Sequence, residues 1–151
     1  MKLTELIGSG DKIGLFSLPF LFVGLLLNIL YPLIFNVGGP SSALTILAIM
    51  ILIPGIIIWA WSVILIITKV SKNELITNGP YALVKHPLYT GFAFLVLPWI
   101  GILLNSWIGM IFGLILYIGS RIYSPREEEK LAMMFGKSWE EYKKKVLIPW
   151  L

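Results

Sequence analysis

The residues able to do chemistry fall in two polar blocks. The first, Gly79-Pro80-Tyr81-Ala82-Leu83-Val84-Lys85-His86-Pro87-Leu88-Tyr89-Thr90-Gly91, carries the single histidine between two tyrosines and interrupts long apolar runs. The second opens with Pro125-Arg126-Glu127-Glu128-Glu129 and continues through Phe135-Gly136 to Trp139-Glu140-Glu141-Tyr142-Lys143-Lys144-Lys145-Val146. Three consecutive carboxylates can face a cationic ligand while the rings and backbone around His86 close over it, an arrangement that suits a sulfonium group. The absence of cysteine removes disulfides, thiol nucleophiles and thiolate metal sites. One histidine is too few for a protein-held zinc ion, so no metal is expected. There is no glycine-rich phosphate loop, internal repeat or low-complexity linker, and no nucleic-acid partner is expected.

The elements that must position these blocks are set by composition. With 58% hydrophobic and 13% charged residues, the chain reads as an all-α integral membrane protein. Its 12 basic and 8 acidic side chains are confined to Met1–Lys12, Lys69–Lys85 and Arg121–Lys145. The charge-free run from Ile13 to Thr68 is more than twice the roughly 20 residues that cross a bilayer as helix. It is divided at Asn36-Val37-Gly38-Gly39-Pro40-Ser41-Ser42, whose glycines and proline favour a reversal and whose serines supply a helix N-cap. Spans are predicted at 13–35 and 42–68, followed by a cytosolic loop at 69–86. No small-residue cleavage site follows Met1–Lys12, so a retained first span rather than a signal peptide is expected.

The second charge-free run, His86 to Ser120, would make a helix of roughly 50 Å against a hydrocarbon core of about 30 Å. Asn105-Ser106 offers a polar turn near its middle. The positive-inside rule favours a short hairpin with spans at 87–104 and 107–123, because a single crossing would export the basic residues from Arg121 onward. Four transmembrane helices then place both termini and the central loop in the cytoplasm. Trp59, Trp61, Trp99, Trp107, Tyr31 and Tyr117 suit interfacial anchoring, and Pro54-Gly55 and Pro98 suit kinks that open room between helices.

The tail at 126–147 reads as a cytosolic helix-turn-helix. Pro125 suits a first-turn position, Glu127 to Glu129 favour the positive end of the helix dipole, and Gly136 suits a C-cap. Ser138-Trp139-Glu140-Glu141 matches a capping box, and Lys143 to Lys145 are placed against the second helix's dipole and anionic headgroups.

The two blocks together resemble the isoprenylcysteine carboxyl methyltransferase family and its phospholipid methyltransferase relatives. The resemblance rests on Gly79-Pro80-Tyr81, His86-Pro87-Leu88-Tyr89-Thr90-Gly91, Glu127-Glu128, Phe135-Gly136 and Tyr142 to Val146, and covers Asn73 to Pro149. It implies S-adenosyl-L-methionine as cofactor, held by Asn73, Glu74, Leu75, Ile76, Tyr81, His86, Pro87, Leu88, Tyr89 and Glu127. It implies a lipidic or hydrophobic acceptor, either a prenylcysteine-like carboxylate or a lipid amine, with Lys85, Arg121, Arg126 and Glu128 as the catalytic and substrate-contacting charges. Two positions depart from the family pattern. Lys85 stands where arginine usually precedes His-Pro, keeping the charge without the bidentate fork, and the family's substrate-contacting arginine falls on Tyr123, leaving Arg121 and Arg126 as neighbours.

Sterol-type membrane reductases that bind NADPH share a similar His-Pro-x-Tyr-x-Gly turn, but have asparagine and glutamate where this chain has Leu88 and Phe92. A non-catalytic scaffold is the third reading, and it leaves the clustered polar residues without a use. The sequence carries no indication of oligomeric state.

Overall fold

A computed structural model describes residues 10–151, so the reading of Met1–Lys12 lies largely outside the described residues. Helix α1 spans Gly10–Leu30, α2 Pro32–Phe35, and α3 Ser42–Leu65, prolonged by a wide turn at Ile66–Val70. Helix α4 spans Pro80–Leu83, α5 Pro87–Leu103, α6 Ile108–Phe135 and α7 Lys137–Lys145. The described residues form no β-sheet, only two isolated bridges.

Three of these helices, α1, α3 with its extension, and α6, are long and apolar enough to cross a membrane. Helix α5 is shorter, about 25 Å at 1.5 Å per residue, less than the thickness of a bilayer core. The predicted first span is also interrupted. Pro32 disfavours helical backbone at Tyr31, which adopts φ −129°, ψ 57° and separates α1 from α2.

The reversals fall where glycine, asparagine and serine stand. Ser41 caps α3 by accepting a hydrogen bond from the Leu44 N–H at 3.2 Å. The α5–α6 turn uses Asn105 at φ 56°, a left-handed conformation that asparagine tolerates. These two turns are joined at one end of the bundle. Gly39 N–H donates to Asn105 Oδ1 at 2.9 Å, Trp107 N–H to the Phe35 carbonyl at 3.0 Å, and Ser106 Oγ to Asn28 Oδ1 at 2.8 Å.

Helices α5 and α6 cross closely because small residues face one another. A Cβ at Gly109 would collide with the Leu97 carbonyl, and one at Gly113 with the Ala93 carbonyl. Gly55, expected to help open a ligand space, instead lets α3 approach α5, where a Cβ would lie 2.6 Å from the Leu95 carbonyl. Pro98 cannot donate to the Phe94 carbonyl, and the Trp99 indole N–H satisfies that oxygen at 3.1 Å. The backbone widens at Phe92–Val96 immediately before it.

The carboxyl-terminal third differs from expectation in two ways. Pro125 does not begin a tail helix: it lies inside α6, which continues to Phe135. The helix survives the lost bond to the Arg121 carbonyl because good helix formers follow from Arg126 and tertiary contacts hold it upstream, where Tyr123 meets the Phe16 ring edge-on at 6.1 Å. Ser138 is not an N-cap either. Gly136, at φ 49° and ψ −118°, ends α6 and begins α7 at once, which leaves Ser138 inside the first turn. Such a backbone is cheap only for glycine.

Candidate functional site

The central loop begins by reversing α3. Asn73 takes φ 55° as its N–H donates to the Val70 carbonyl at 3.0 Å, and Lys69 Nζ holds Glu74 Oε2 at 2.5 Å. Lys69 keeps the Glu74 carboxyl below its ordinary range. The chain then reaches Gly79, at φ 61°, packed so closely against Trp61 that a Cβ there would lie 3.0 Å from the ring. Pro80 and Pro87 each occupy the first turn of a short helix, where a missing N–H costs nothing. These constraints aim Tyr81, Lys85, His86, Leu88 and Tyr89 toward α6 and α7.

Helix α7 closes the other side. Trp139, Tyr142 and Val146 recur on one face and are buried against Leu75, Leu131, Ala132 and Phe135. The Tyr142 hydroxyl donates to the Tyr81 carbonyl at 2.8 Å. Beyond α7, Leu147 N–H bonds the Ala82 carbonyl at 3.1 Å and Ile148 N–H the Leu83 carbonyl at 2.9 Å, so the last residues strap the central loop down. Burial pushes the Tyr81 hydroxyl pKa up, and the Glu127 carboxylate adds to the rise. Burial also raises that of Tyr142, with Glu128 adding to it. Both phenols therefore remain donors through the neutral range.

Between loop, α3, α6 and α7 lies a cavity of about 370 Å³. It brings together Asn73, Glu74, Leu75, Ile76, Tyr81, Lys85, His86, Leu88, Tyr89 and Glu127, residues far apart in the chain. Pro87 is fully buried beneath the turn and does not line it. Glu128 stands behind the wall. Its Oε1 accepts from Lys85 Nζ at 2.6 Å and lies 3.1 Å from His86 Nε2. A carboxylate oxygen only accepts, so this contact puts the imidazole proton on Nε2. Arg121 and Arg126 are exposed on α6 and are not part of the lining.

Sequence reasoning missed the apolar wall. Val63, Ile66, Ile67 and Val70 come from the end of α3, and Leu131, Met134 and Phe135 from α6. Trp139 and Tyr142 also line the cavity. The aromatic spacing in the tail signalled the last two, whereas residues in the α3 run are indistinguishable from lipid-facing ones until the loop folds back. A second cavity of about 360 Å³ shares Leu75 and Tyr142 as a wall with the first. Among the described residues, no group of three histidine or acidic side chains could hold a metal ion.

The fold and the cavity thus define a class, an all-helical protein with three helices apolar enough to cross a membrane and a cavity lined by aromatic rings and carboxylates. Sequence comparison makes the class specific. The chain belongs to the isoprenylcysteine carboxyl methyltransferase (ICMT) family, whose model matches residues 42–133. It is 37% identical over 86 residues to a protein-S-isoprenylcysteine O-methyltransferase of Schizosaccharomyces pombe, covering 54% of this chain and 35% of that protein. It is 38% identical over 77 residues to a probable protein-S-isoprenylcysteine O-methyltransferase of Oryza sativa subsp. indica, covering 50% of this chain and 39% of the relative. The matched region thus spans less than two fifths of these curated relatives. No solved structure matches the chain.

Proposed function

We propose that this chain is a methyltransferase that binds S-adenosyl-L-methionine in the 370 Å³ cavity and methylates a lipidic acceptor, in first place a prenylcysteine-like carboxylate, at the cytosolic membrane face. The observation that carries the reading is the composition of the cavity wall. Tyr81, Tyr89, Trp139 and Tyr142 supply aromatic faces, Glu74 and Glu127 supply carboxylates, and the α3 residues supply an apolar side. An adenine ring, an ammonium or ribose group, and an acyl or prenyl chain each find a matching surface there.

When bound, the sulfonium would supply an activated methyl group, its sulfur keeping the bonding pair and losing its positive charge as the methyl passes to the acceptor. The protein's part is positioning and dehydration, worth up to several kcal/mol when the reacting atoms are held in line. Glu127 accepts hydrogen bonds at the polar end, and the tyrosines and Trp139 exclude water. Lys85, tied to Glu128, is a cation on the cavity wall beside His86. The wall at Val63, Ile66 and Ile67 gives a hydrophobic acceptor its contact surface.

Four crossings, with both termini cytoplasmic, remain the topology we favour. The uncharged turns at 36–41 and 105–106 are bonded together, while the central loop and the tail are bonded at the cavity. Helix α5 then crosses with its short length offset by local thinning or by neighbouring helices.

The reading is tested by calorimetric titration of detergent-purified protein with S-adenosylmethionine, with NADPH as the parallel ligand. Saturable binding of the sulfonium alone, followed by transfer of labelled methyl to a prenylcysteine acceptor, is the expected result. Binding of NADPH alone would reassign the cavity to a reductase, and binding of neither would leave a scaffold.

A further inference from the structure

The segment after α7 leaves a surface that a soluble protein would hide. Leu147 is 71% and Trp150 68% exposed, and Leu83, whose carbonyl Ile148 bonds, is 48% exposed. Beside them stand Lys144 and Lys145, both exposed. Neighbouring lysines on α7 have acidic partners: Lys143 meets Glu140 at 2.8 Å and Lys137 meets Glu141 at 4.0 Å. Among the described residues Lys144 and Lys145 form no ion pair. Bare leucine and tryptophan next to unneutralised ammonium groups match a bilayer interface, where the indole sits at headgroup depth and lysines meet lipid phosphates.

We infer that residues 144–150 form a docking surface for an anionic lipid leaflet, with Leu147 and Trp150 entering the interface and Lys144 and Lys145 selecting negatively charged headgroups. Charge complementarity decides the occupant: the nearby carboxylates Glu140 and Glu141 are paired with Lys143 and Lys137, Lys144 and Lys145 form no ion pair among the described residues, and the spans of α1, α3 and α6 bring the surface to a membrane in any case. Leu147 and Ile148 are bonded to Ala82 and Leu83, so the docking surface is continuous with the loop that carries Tyr81 and Lys85. This inference is independent of the methyltransferase reading, and its test reads fluorescence rather than activity.

The full chain is reconstituted in vesicles of phosphatidylcholine alone or with phosphatidylglycerol, each with and without bromine on the acyl chains. The protein has 6 tryptophans, so the Trp150 signal is taken as the difference between the unmodified chain and Trp150→Phe. The expected result is quenching of that component by brominated lipid, stronger with phosphatidylglycerol. Lys144→Gln and Lys145→Gln should each lower the docked-to-undocked ratio in the anionic vesicles by about fivefold. A Trp150 component that bromine does not quench, because water or a second copy covers the strap, would overturn the inference. Quenching indifferent both to phosphatidylglycerol and to the lysine substitutions would overturn the selection of anionic lipid. The exposed lysine sites make no tertiary bond, and the remaining tryptophan emission reports whether each variant is folded.

Discussion

At the scale of single residues, the site depends on carboxylates with different duties. Glu127 lines the cavity, whereas Glu128 binds the loop residues Lys85 and His86 from behind. On the proposed reading, Glu127→Gln should weaken S-adenosylmethionine affinity at least tenfold in calorimetry, since a hydrogen bond to a charged group contributes about 1.5–3 kcal/mol. Lys85→Met and Glu128→Gln should be non-additive, with a coupling of about 0.5–3 kcal/mol in a double-mutant cycle on stability. The raised pKa values of Tyr81 and Tyr142 carry a linkage of defined sign. The folded state favours the neutral phenols, so their contribution is fully present below the unfolded pKa of about 10 and is lost as pH rises through the folded values. Melting temperature in detergent should therefore fall above pH 10, and less steeply in Tyr142→Phe.

At the scale of elements, the glycine contacts between α5 and α6 set how closely the hairpin closes. Gly113→Val should cost about 1–3 kcal/mol by overpacking against the Ala93 carbonyl, measured by denaturant unfolding in detergent. The Asn105 turn was legible beforehand because a polar pair interrupted an apolar run too long for one span. The continuation of α6 past Pro125 was not. Proline followed by glutamates reads equally as a helix start, and only contacts such as Phe16 on Tyr123 keep one helix running through. The Ser138 capping box failed for a related reason: Gly136 turns the chain so tightly that no residue separates the two helices.

For the whole molecule, the chain's polarity predicts opposite exposure of its two ends. The natural absence of cysteine allows single replacements without further mutation. In sealed vesicles, a membrane-impermeant thiol reagent should label Gly38→Cys and Lys137→Cys from opposite sides. Labelling from the same side would overturn four crossings. The turns are bonded to each other at one end of the bundle, and the central loop and tail at the other.

Composition and charge placement alone determined that this is a membrane protein and where its polar loops lie, and the resemblance of its two motifs to a known family implied that Tyr81, His86, Tyr89 and Glu127 belong together. Those conclusions follow from the cost of burying charge in lipid and from motif residues kept at characteristic spacings. Tertiary structure alone decided that Glu128 stands behind the wall holding Lys85 and His86, that Arg121 and Arg126 point away, and that the end of α3 forms the apolar side of the cavity. Adjacent residues on a helix differ by about 100° in direction, so neighbours in sequence acquire different roles only when a partner element fixes which direction faces inward.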